Sequence, residues 1–204
     1  MSNIPVIPPV EIAAIILCGG QSRRFGTDKA MALRDGRTFL QRAIECAGAR
    51  ADEVILACGP ERRYEEYGPT LALDPPGISG PLAGMMAGLE CTERPYVFIL
   101  AVDLVEASPA ALDQLLEAMV GADPPVDLVM PRSERGLEPM LFLGHRVALS
   151  AAIRKLGTTT DPAPRHLPDY LATCIIQVPD DPANALCRAL ANVNTGEDLK
   201  LLGG

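Results

Sequence analysis

A short loop rich in glycine and basic side chains carries the clearest chemistry in this sequence. The loop spans residues 18–29 and directly follows an apolar run. Glycine lets a backbone approach a ligand closely, and successive backbone N–H groups form a concavity that binds anions. Arg23, Arg24 and Lys29 add the positive charge that a triphosphate requires. We interpret the stretch as a phosphate-binding loop; the alternative is a basic surface turn whose glycines only change the chain direction.

The common phosphate and nucleophile motifs do not describe this loop. It has no Gly-Lys-Ser/Thr of a Walker loop and no G-x-G-x-x-G of a dinucleotide fold. Residues 20–24 also lack the second glycine of the hydrolase nucleophile elbow. The loop therefore indicates a phosphate site of another type.

Three further stretches are candidates for binding. Asp103 closes an apolar run, and a single carboxylate at a strand end suits Mg²⁺; the alternative is an ordinary loop or cap aspartate. In residues 74–84 glycines flank the start of a predicted helix, whose free N–H groups favour an anion. The alternative is a rigid connector rich in proline and glycine. Asn192 and Asn194 alternate, which places both on one face, in a stretch that also reads as the N-terminal turn of a helix.

Composition limits the class of protein. The 204 residues are 48 % hydrophobic and 22 % charged, which excludes a disordered chain. Aromatic residues make up only 4 %, so few side chains are available to stack on bases. The net charge of −8 makes a general nucleic-acid or anionic-membrane binder a poor interpretation. Residues 21–42 go against this balance, since they hold six basic and two acidic side chains.

The cysteines and the apolar runs indicate a location. None of the six cysteines forms a C-x-x-C pair, so zinc-site and thioredoxin interpretations have no support, and we expect reduced, mostly buried thiols. Residues 1–11 lack the basic region of a signal peptide. The longest apolar runs fall far short of the ~20 residues that a membrane span needs. We therefore expect a cytoplasmic protein.

Apolar runs alternate with amphipathic stretches along the chain. We expect one domain over residues 1–204, with residues 1–10 as a flexible tail. The alternation predicts an α/β fold with a largely parallel sheet, in which ligands bind beyond the carboxyl ends of the strands. We therefore expect the ligand site in the loops after Leu17, Leu73 and Val102. The predicted strands are 12–17, 53–57, 70–73, 96–102, 127–130, 140–143 and 174–178; the predicted helices are 38–49, 81–90, 109–120 (capped by Ser108), 147–156 and one after the cap Thr195.

Three motifs together resemble the MobA-type molybdenum cofactor guanylyltransferases of the nucleotidyltransferase superfamily. The family motif Leu-Ala-Gly-Gly-x-Ser-x-Arg-Met-Gly-x-Asp-Lys is similar to residues 17–29. Gly-Pro-Leu-Ala-Gly stands at 80–84, and Asn-Val-Asn-Thr with a following acidic pair stands at 192–198. The resemblance implies a three-layer, Rossmann-like nucleotidyltransferase fold.

The resemblance also implies a reaction. The terminal phosphate of molybdopterin or the molybdenum cofactor attacks the α-phosphate of GTP, with Mg²⁺ as the metal, and pyrophosphate leaves as the guanine dinucleotide forms. The implied partners are GTP, the pterin, other cofactor-biosynthesis proteins and recipient molybdoenzymes, with no nucleic acid and no membrane. The alternatives are a cytidylyl or sugar-phosphate nucleotidyltransferase and an inactive nucleotide-binding regulator.

Site residues follow from the resemblance position by position. It implies that Arg23, Lys29 and Asp103 are catalytic, with Asp103 as the metal ligand. The residues implied on the nucleotide side are Leu17, Cys18, Gly19, Gly20, Arg24, Gly26 and Asp74, and those on the pterin side are Gly80, Arg165, Asn192 and Asn194.

Three positions depart from the family pattern. Cys18 replaces alanine, which suggests nucleotide binding that is sensitive to oxidation. Val105 stands where the family usually has proline, so the loop after Asp103 loses a fixed φ. Ala57 stands where some members have an asparagine near the nucleotide. The last two departures motivate the inactive-regulator alternative.

Overall fold

The structure is a computed structural model that describes residues 11–20, 28–76 and 80–191. The predicted tail of residues 1–10 and the predicted helix after Thr195 lie outside these ranges. The described strands are β1 (Ile12–Leu17), β2 (Leu33–Arg34), β3 (Arg37–Thr38), β4 (Glu53–Ala57), β5 (Thr70–Ala72), β6 (Tyr96–Ala101), β7 (Leu128–Ser133), β8 (Gly136–Leu137), β9 (Leu141–His145) and β10 (Thr173–Gln177). The described α-helices are α1 (Phe39–Gly48), α2 (Pro81–Glu90), α3 (Pro109–Val120), α4 (Arg146–Leu156) and α5 (Ala185–Ala189), with 3₁₀-helices at Lys29–Met31, Glu65–Tyr67 and Pro164–Asp169.

The main sheet has the order β10-β7-β9-β6-β1-β4-β5, with β8 paired to β7. The pairs β1–β4, β1–β6, β4–β5 and β7–β10 are parallel, whereas β9 runs antiparallel to β6 and β7. The prediction of an α/β fold with a largely parallel sheet is therefore confirmed. A parallel strand covered by helices on both faces needs apolar residues at every position, which is the pattern of β1.

Helices cover both faces of the sheet, so the fold has three layers. Ala14 and Ile16 of β1 belong to the core formed with α1, α3 and α5. Ala13 and Ile15 belong to the core formed with α2 and α4. Successive side chains of a strand point to opposite faces, so one hexapeptide contributes to both cores. No helix in the described ranges is long and apolar enough to cross a membrane.

Most predicted elements are present with ends that differ by a few residues. The elements that sequence reasoning missed are short: β2, β3, β8, α5 and the 3₁₀-helices each span two to six residues. The predicted side-chain cap of α3 is wrong. Ser108 occupies the N-cap position, but its Oγ is buried and has no hydrogen-bond partner among the described residues. Pro109 begins this helix instead, with a fixed φ and no N–H to satisfy.

Two helical glycines differ in what surrounds them, and this gives a matched stability test. A Cβ at Gly88 in α2 would lie 2.6 Å from Cγ2 of the buried Ile15, whereas a Cβ at Gly48 in α1 would meet nothing within 4 Å. We expect Gly88→Ala to lower the free energy of unfolding, since overpacking costs about 1–3 kcal/mol. We expect Gly48→Ala to raise it by about 0.5 kcal/mol, because alanine is favoured over glycine in a helix. Urea unfolding measures both, and a stabilised Gly88→Ala would contradict the packing described here.

Candidate active site

The carboxyl ends of β1 and β6 bring a lysine and an aspartate together. The two strands stay in register to their ends, where the Val102 amide donates to the Leu17 carbonyl at 3.1 Å. The chain then turns at Asp103, whose Oδ2 accepts from Lys29 Nζ at 2.8 Å. The side chains of Lys29 and Asp103 are 16 % and 25 % exposed. Two of the three predicted catalytic residues thus form one partly desolvated ion pair that solvent still reaches.

The glycine turn after β1 passes directly over the end of β4. The Gly19 amide donates to the Ala57 carbonyl at 2.8 Å. A Cβ on Gly19 would lie only 2.5 Å from the backbone nitrogen of Gly59, which itself has φ +82°. Gly20 has φ +124°, with nothing within 4 Å of a Cβ placed there. At position 19 the close approach that glycine permits is therefore to the protein's own backbone.

The side chains of Leu17 and Cys18 are buried, so these two residues offer mainly backbone atoms to the edge of the sheet. Burial and the nearby Cys58 raise the pKa of the Cys18 thiol to about 12. Thiols are oxidised through the thiolate, which is scarce at neutral pH when the pKa is this high. Burial and the raised pKa therefore argue against the expectation that Cys18 makes nucleotide binding sensitive to oxidation.

Asp74 lies at the end of β5, beside α2. Its amide donates to the Gly59 carbonyl at 2.9 Å. Its Oδ1 is buried with no hydrogen-bond partner among the described residues, and it would lie 3.8 Å from a Cβ at Gly84. Desolvation raises the pKa of this carboxyl above its ordinary value. Gly80, with φ +93°, stands at the N-cap of α2 without a side-chain cap, so both predicted residues lie near the start of that helix.

The loop after Asp103 is fixed without the proline of the family pattern. Val105 is 3 % exposed and lies in the core. Its carbonyl accepts from Arg42 Nε at 3.2 Å, and the Leu104 amide donates to the Ala101 carbonyl at 3.2 Å. Burial and hydrogen bonding thus replace the fixed φ. Ala57 is also buried, and its carbonyl accepts hydrogen bonds from the Cys18 and Gly19 amides.

The excess of positive charge in residues 21–42 is partly neutralised by carboxylates. Arg34 forms an ion pair with Glu106, and Arg37 forms one with Glu45. Arg42 NH1 lies 3.5 Å from Asp35 Oδ2. Arg34, Arg37 and Arg42 therefore each lie beside a carboxylate, as Lys29 does. Arg23, Arg24 and Gly26, the other predicted residues of this loop, lie outside the described residues.

The predicted pterin-side residues are less well defined. Arg165 is exposed and pairs with Asp161, and none of its described contacts joins it to Lys29, Asp103 or Asp74. Asn192 and Asn194 lie outside the described residues.

Sequence reasoning missed a polar network beside β7 and β8. Ser133 Oγ donates to Glu138 Oε1 at 2.5 Å, and Arg135 NH2 donates to the Leu190 carbonyl at 2.7 Å. Arg135 NH2 also lies 3.3 Å from Glu138 Oε1. Ser133, Arg135 and Glu138 are close in sequence, whereas the contact with Leu190 joins residues 55 apart and is brought about by the fold.

Sequence reasoning also missed Tyr64 and Arg63, in the connection between β4 and β5. The Tyr64 hydroxyl donates to Asp28 Oδ2 at 2.7 Å, and Arg63 NH1 lies 3.6 Å from the same oxygen. Both contacts span more than thirty residues of sequence. No spacing or motif in the sequence indicates them.

In open α/β sheets ligands bind beyond the carboxyl ends of the strands, and this chain has a glycine turn, a lysine and a carboxylate at that edge. The fold is similar to the crystal structure of molybdopterin-guanine dinucleotide biosynthesis protein A from Archaeoglobus fulgidus. The TM-score is 0.73 at 19 % identity, and the match covers 93 % of this chain and 95 % of that one. Together with the family match over residues 14–174, this fold defines the class as that of the Rossmann-like nucleotidyltransferases.

The chain belongs to the MobA-like NTP transferase domain family, which matches residues 14–174. It is 31 % identical to the molybdenum cofactor guanylyltransferase of Ectopseudomonas mendocina, over 92 % of this chain and 89 % of that protein. It is also 31 % identical to the molybdenum cofactor guanylyltransferase of Desulfosudis oleivorans, over 71 % of each chain. The resemblance drawn from the three motifs is confirmed.

Because the Asp74 carboxylate is desolvated, we expect it to lower the free energy of unfolding at neutral pH. Because the folded-state pKa is raised, the ionised form is disfavoured in the fold at pH values above that pKa. We expect Asp74→Asn to raise the Tm at neutral pH while it lowers turnover. The gain in Tm should disappear as the pH falls towards the ordinary aspartate pKa, since the wild-type carboxyl is then protonated as well. Calorimetry of both proteins from about pH 4 to about pH 8 measures the difference in Tm. A lower Tm for Asp74→Asn at every pH would contradict the prediction.

Proposed function

We propose that this protein transfers GMP from GTP to the terminal phosphate of molybdopterin or the molybdenum cofactor. An oxygen of the acceptor phosphate attacks the α-phosphorus of GTP, and a new P–O–P linkage forms. The bond from the α-phosphorus to the bridging oxygen of the β-phosphate breaks, and pyrophosphate leaves with that electron pair. The observation that carries the proposal is the Lys29–Asp103 pair at the carboxyl edge, within a chain whose relatives are molybdenum cofactor guanylyltransferases.

Lys29 supplies positive charge where the reaction develops negative charge. An acceptor phosphate that is already ionised needs no general base, so catalysis consists of positioning and charge stabilisation. The Lys29 side chain is only 16 % exposed, and a charge in a partly desolvated site acts more strongly than in water. Asp103 Oδ2 at 2.8 Å fixes where that ammonium lies before the nucleotide binds. Arg23 and Arg24 complete the phosphate contacts in this proposal.

Asp103 is the residue that would hold Mg²⁺. Among the described residues no group of three or more His, Cys, Asp and Glu side chains is placed to form a metal cluster. A single carboxylate fits Mg²⁺, which takes one or two carboxylates together with substrate phosphates and water. When bound, the ion would offset the charge of the triphosphate.

The remaining residues divide between the two substrates. On the nucleotide side we place the backbone atoms of Leu17, Cys18, Gly19 and Gly20, together with Asp74 and Gly26. On the pterin side we place Gly80, Asn192, Asn194 and Arg165. We further propose that the chain works as one domain in the cytoplasm, where its cysteines, free throughout the described residues, stay reduced, and that its product passes to recipient molybdoenzymes.

Pyrophosphate release tests the proposal directly. The assay uses GTP, CTP, ATP and UTP in turn, each with Mg²⁺, with and without molybdopterin. Release from GTP that requires the pterin supports guanylyl transfer. Release from CTP instead would keep the chemistry and change the base. Tight GTP binding with no release, in the presence of intact pterin, would favour an inactive regulator.

Removal of the Lys29 ammonium is expected to affect turnover far more than stability. Loss of one preorganised charge-stabilising group costs roughly 10²–10³ in kcat, so Lys29→Ala should lose about that much. Lys155→Ala in the exposed last turn of α4 is the matched control. Steady-state kinetics with thermal melts separates the two effects, and near-normal kcat in Lys29→Ala would remove Lys29 from the site.

Removal of the Asp103 charge is expected to abolish turnover together with its Mg²⁺ dependence. Asp103→Asn keeps the size of the side chain but loses the ionised oxygen that the metal prefers. Turnover measured over a Mg²⁺ titration tests this. An active variant with an unchanged metal requirement would identify another ligand.

A further inference from the structure

Tyr64 reaches from the connection after β4 to the residue next to Lys29. Its side chain is buried, with the residue 6 % exposed. Its hydroxyl donates to Asp28 Oδ2 at 2.7 Å. Asp28 directly precedes Lys29, so this contact joins a distant part of the chain to the backbone that carries the lysine.

The Asp28 carboxylate is held on two sides. Its Oδ1 accepts from the Ala30 amide at 3.1 Å and caps the 3₁₀-helix Lys29–Met31. Its Oδ2 accepts from Tyr64. One oxygen thus fixes the carboxylate to the short helix that carries Lys29, and the other fixes it to the rest of the fold.

Arg63 links the same contact to the end of β4. Its NH2 donates to the Cys58 carbonyl at 3.0 Å, and its NH1 lies 3.6 Å from Asp28 Oδ2. Its guanidinium also lies over the Tyr64 ring, 5.2 Å from the centroid. The same segment contains Gly59, whose backbone contacts Gly19. Residues 58–64 therefore contact the chain on both sides of the stretch 21–27.

The backbone of Tyr64 is unusual for its residue type. With φ +70° and ψ 23° it adopts the left-handed conformation, which bulky side chains rarely take. Such a conformation persists only when the surrounding structure holds it, and it is found most often at functional sites. The buried ring and the bonded hydroxyl are the contacts that hold it here.

We propose that Tyr64 is a positioning residue for nucleotidyl transfer, because its hydroxyl holds Asp28 and thereby keeps Lys29 against Asp103. Asp28 is the intermediate in this chain of contacts, and Arg63 braces it. The proposal depends on the proposed function only for the substrates of the assay. Burial and the Asp28 carboxylate raise the pKa of Tyr64, so the hydroxyl stays a donor at assay pH.

The test compares two tyrosines that differ in what their hydroxyls bind. Tyr64→Phe removes only the hydroxyl on Asp28. Tyr67→Phe is the matched control, because within the described ranges the hydrogen bonds of the Tyr67 hydroxyl are 3.5 Å contacts with Thr38 Oγ1 and Met31 Sδ. The two rings touch edge to face, with centroids 6.4 Å apart. Both variants keep their rings, so general loss of packing should be small and similar in the two.

We expect Tyr64→Phe to lower kcat by roughly three- to tenfold, less than the about 10²-fold that a misplacement of 1 Å can cost. KM for the nucleotide should change by less than about twofold, because the lysine acts mainly on charge that develops in the transition state. Tyr67→Phe should keep the wild-type kcat. Equal kcat values in the two variants would overturn the proposal.

A double-mutant cycle tests whether Asp28 transmits the effect. In an Asp28→Ala background, Tyr64→Phe should cause no further fall in kcat, since its partner is already gone. A further fall of the full size would mean that Tyr64 acts by another route, and would overturn the proposal.

Hydrogen exchange gives a readout that does not need turnover. The Ala30 amide bonds to Asp28 Oδ1, so it should exchange faster in Tyr64→Phe than in the wild type and in Tyr67→Phe. Equal exchange in all three proteins would overturn the positioning role. If the wild type shows no transfer with any nucleotide, the proposed function fails while this readout still decides the role of Tyr64.

Discussion

The parallel, in-register pairing of β1 with both of its neighbours is the constraint on which the site depends. Leu17 pairs with Ala57 of β4 on one side and with Ala101 of β6 on the other. Three strands therefore end at the same level, and the loops that leave them must share one edge of the sheet. The backbone contact between Gly19 and Gly59 follows from this crowding. So does the pairing of Lys29 with Asp103, which lie 74 residues apart in sequence.

Charge at this edge is arranged against the balance of the whole chain. The protein is acidic, yet an ammonium lies at the point where β1 and β6 end. The arginines that follow in sequence also lie beside carboxylates. Asp74 shows the opposite feature, a carboxylate that the fold desolvates. Binding sites commonly carry such locally unfavourable groups.

The sequence predicts the strand and helix order well, because long apolar runs and helix starts such as Pro81 and Pro109 are local features. The motif of residues 17–29 likewise marks Lys29 as a candidate site residue without a structure. Tyr64 could not be found in this way, since its contact with Asp28 joins residues 36 apart and leaves no spacing pattern. The same holds for Val105, where burial and the Arg42 bond replace a proline.

The antiparallel strand β9 explains how the second half of the chain reaches the same edge. Because β9 runs opposite to β6, its start rather than its end lies beside the carboxyl end of β6, where the Ala101 amide donates to the Met140 carbonyl. Glu138 precedes that start and bonds to Ser133, and Arg135 bonds to the Leu190 carbonyl. The nucleotide loops come from β1, β4 and β5, on the other side of β6. The Lys29–Asp103 pair therefore lies between the nucleotide loops and the side of β9 and β7.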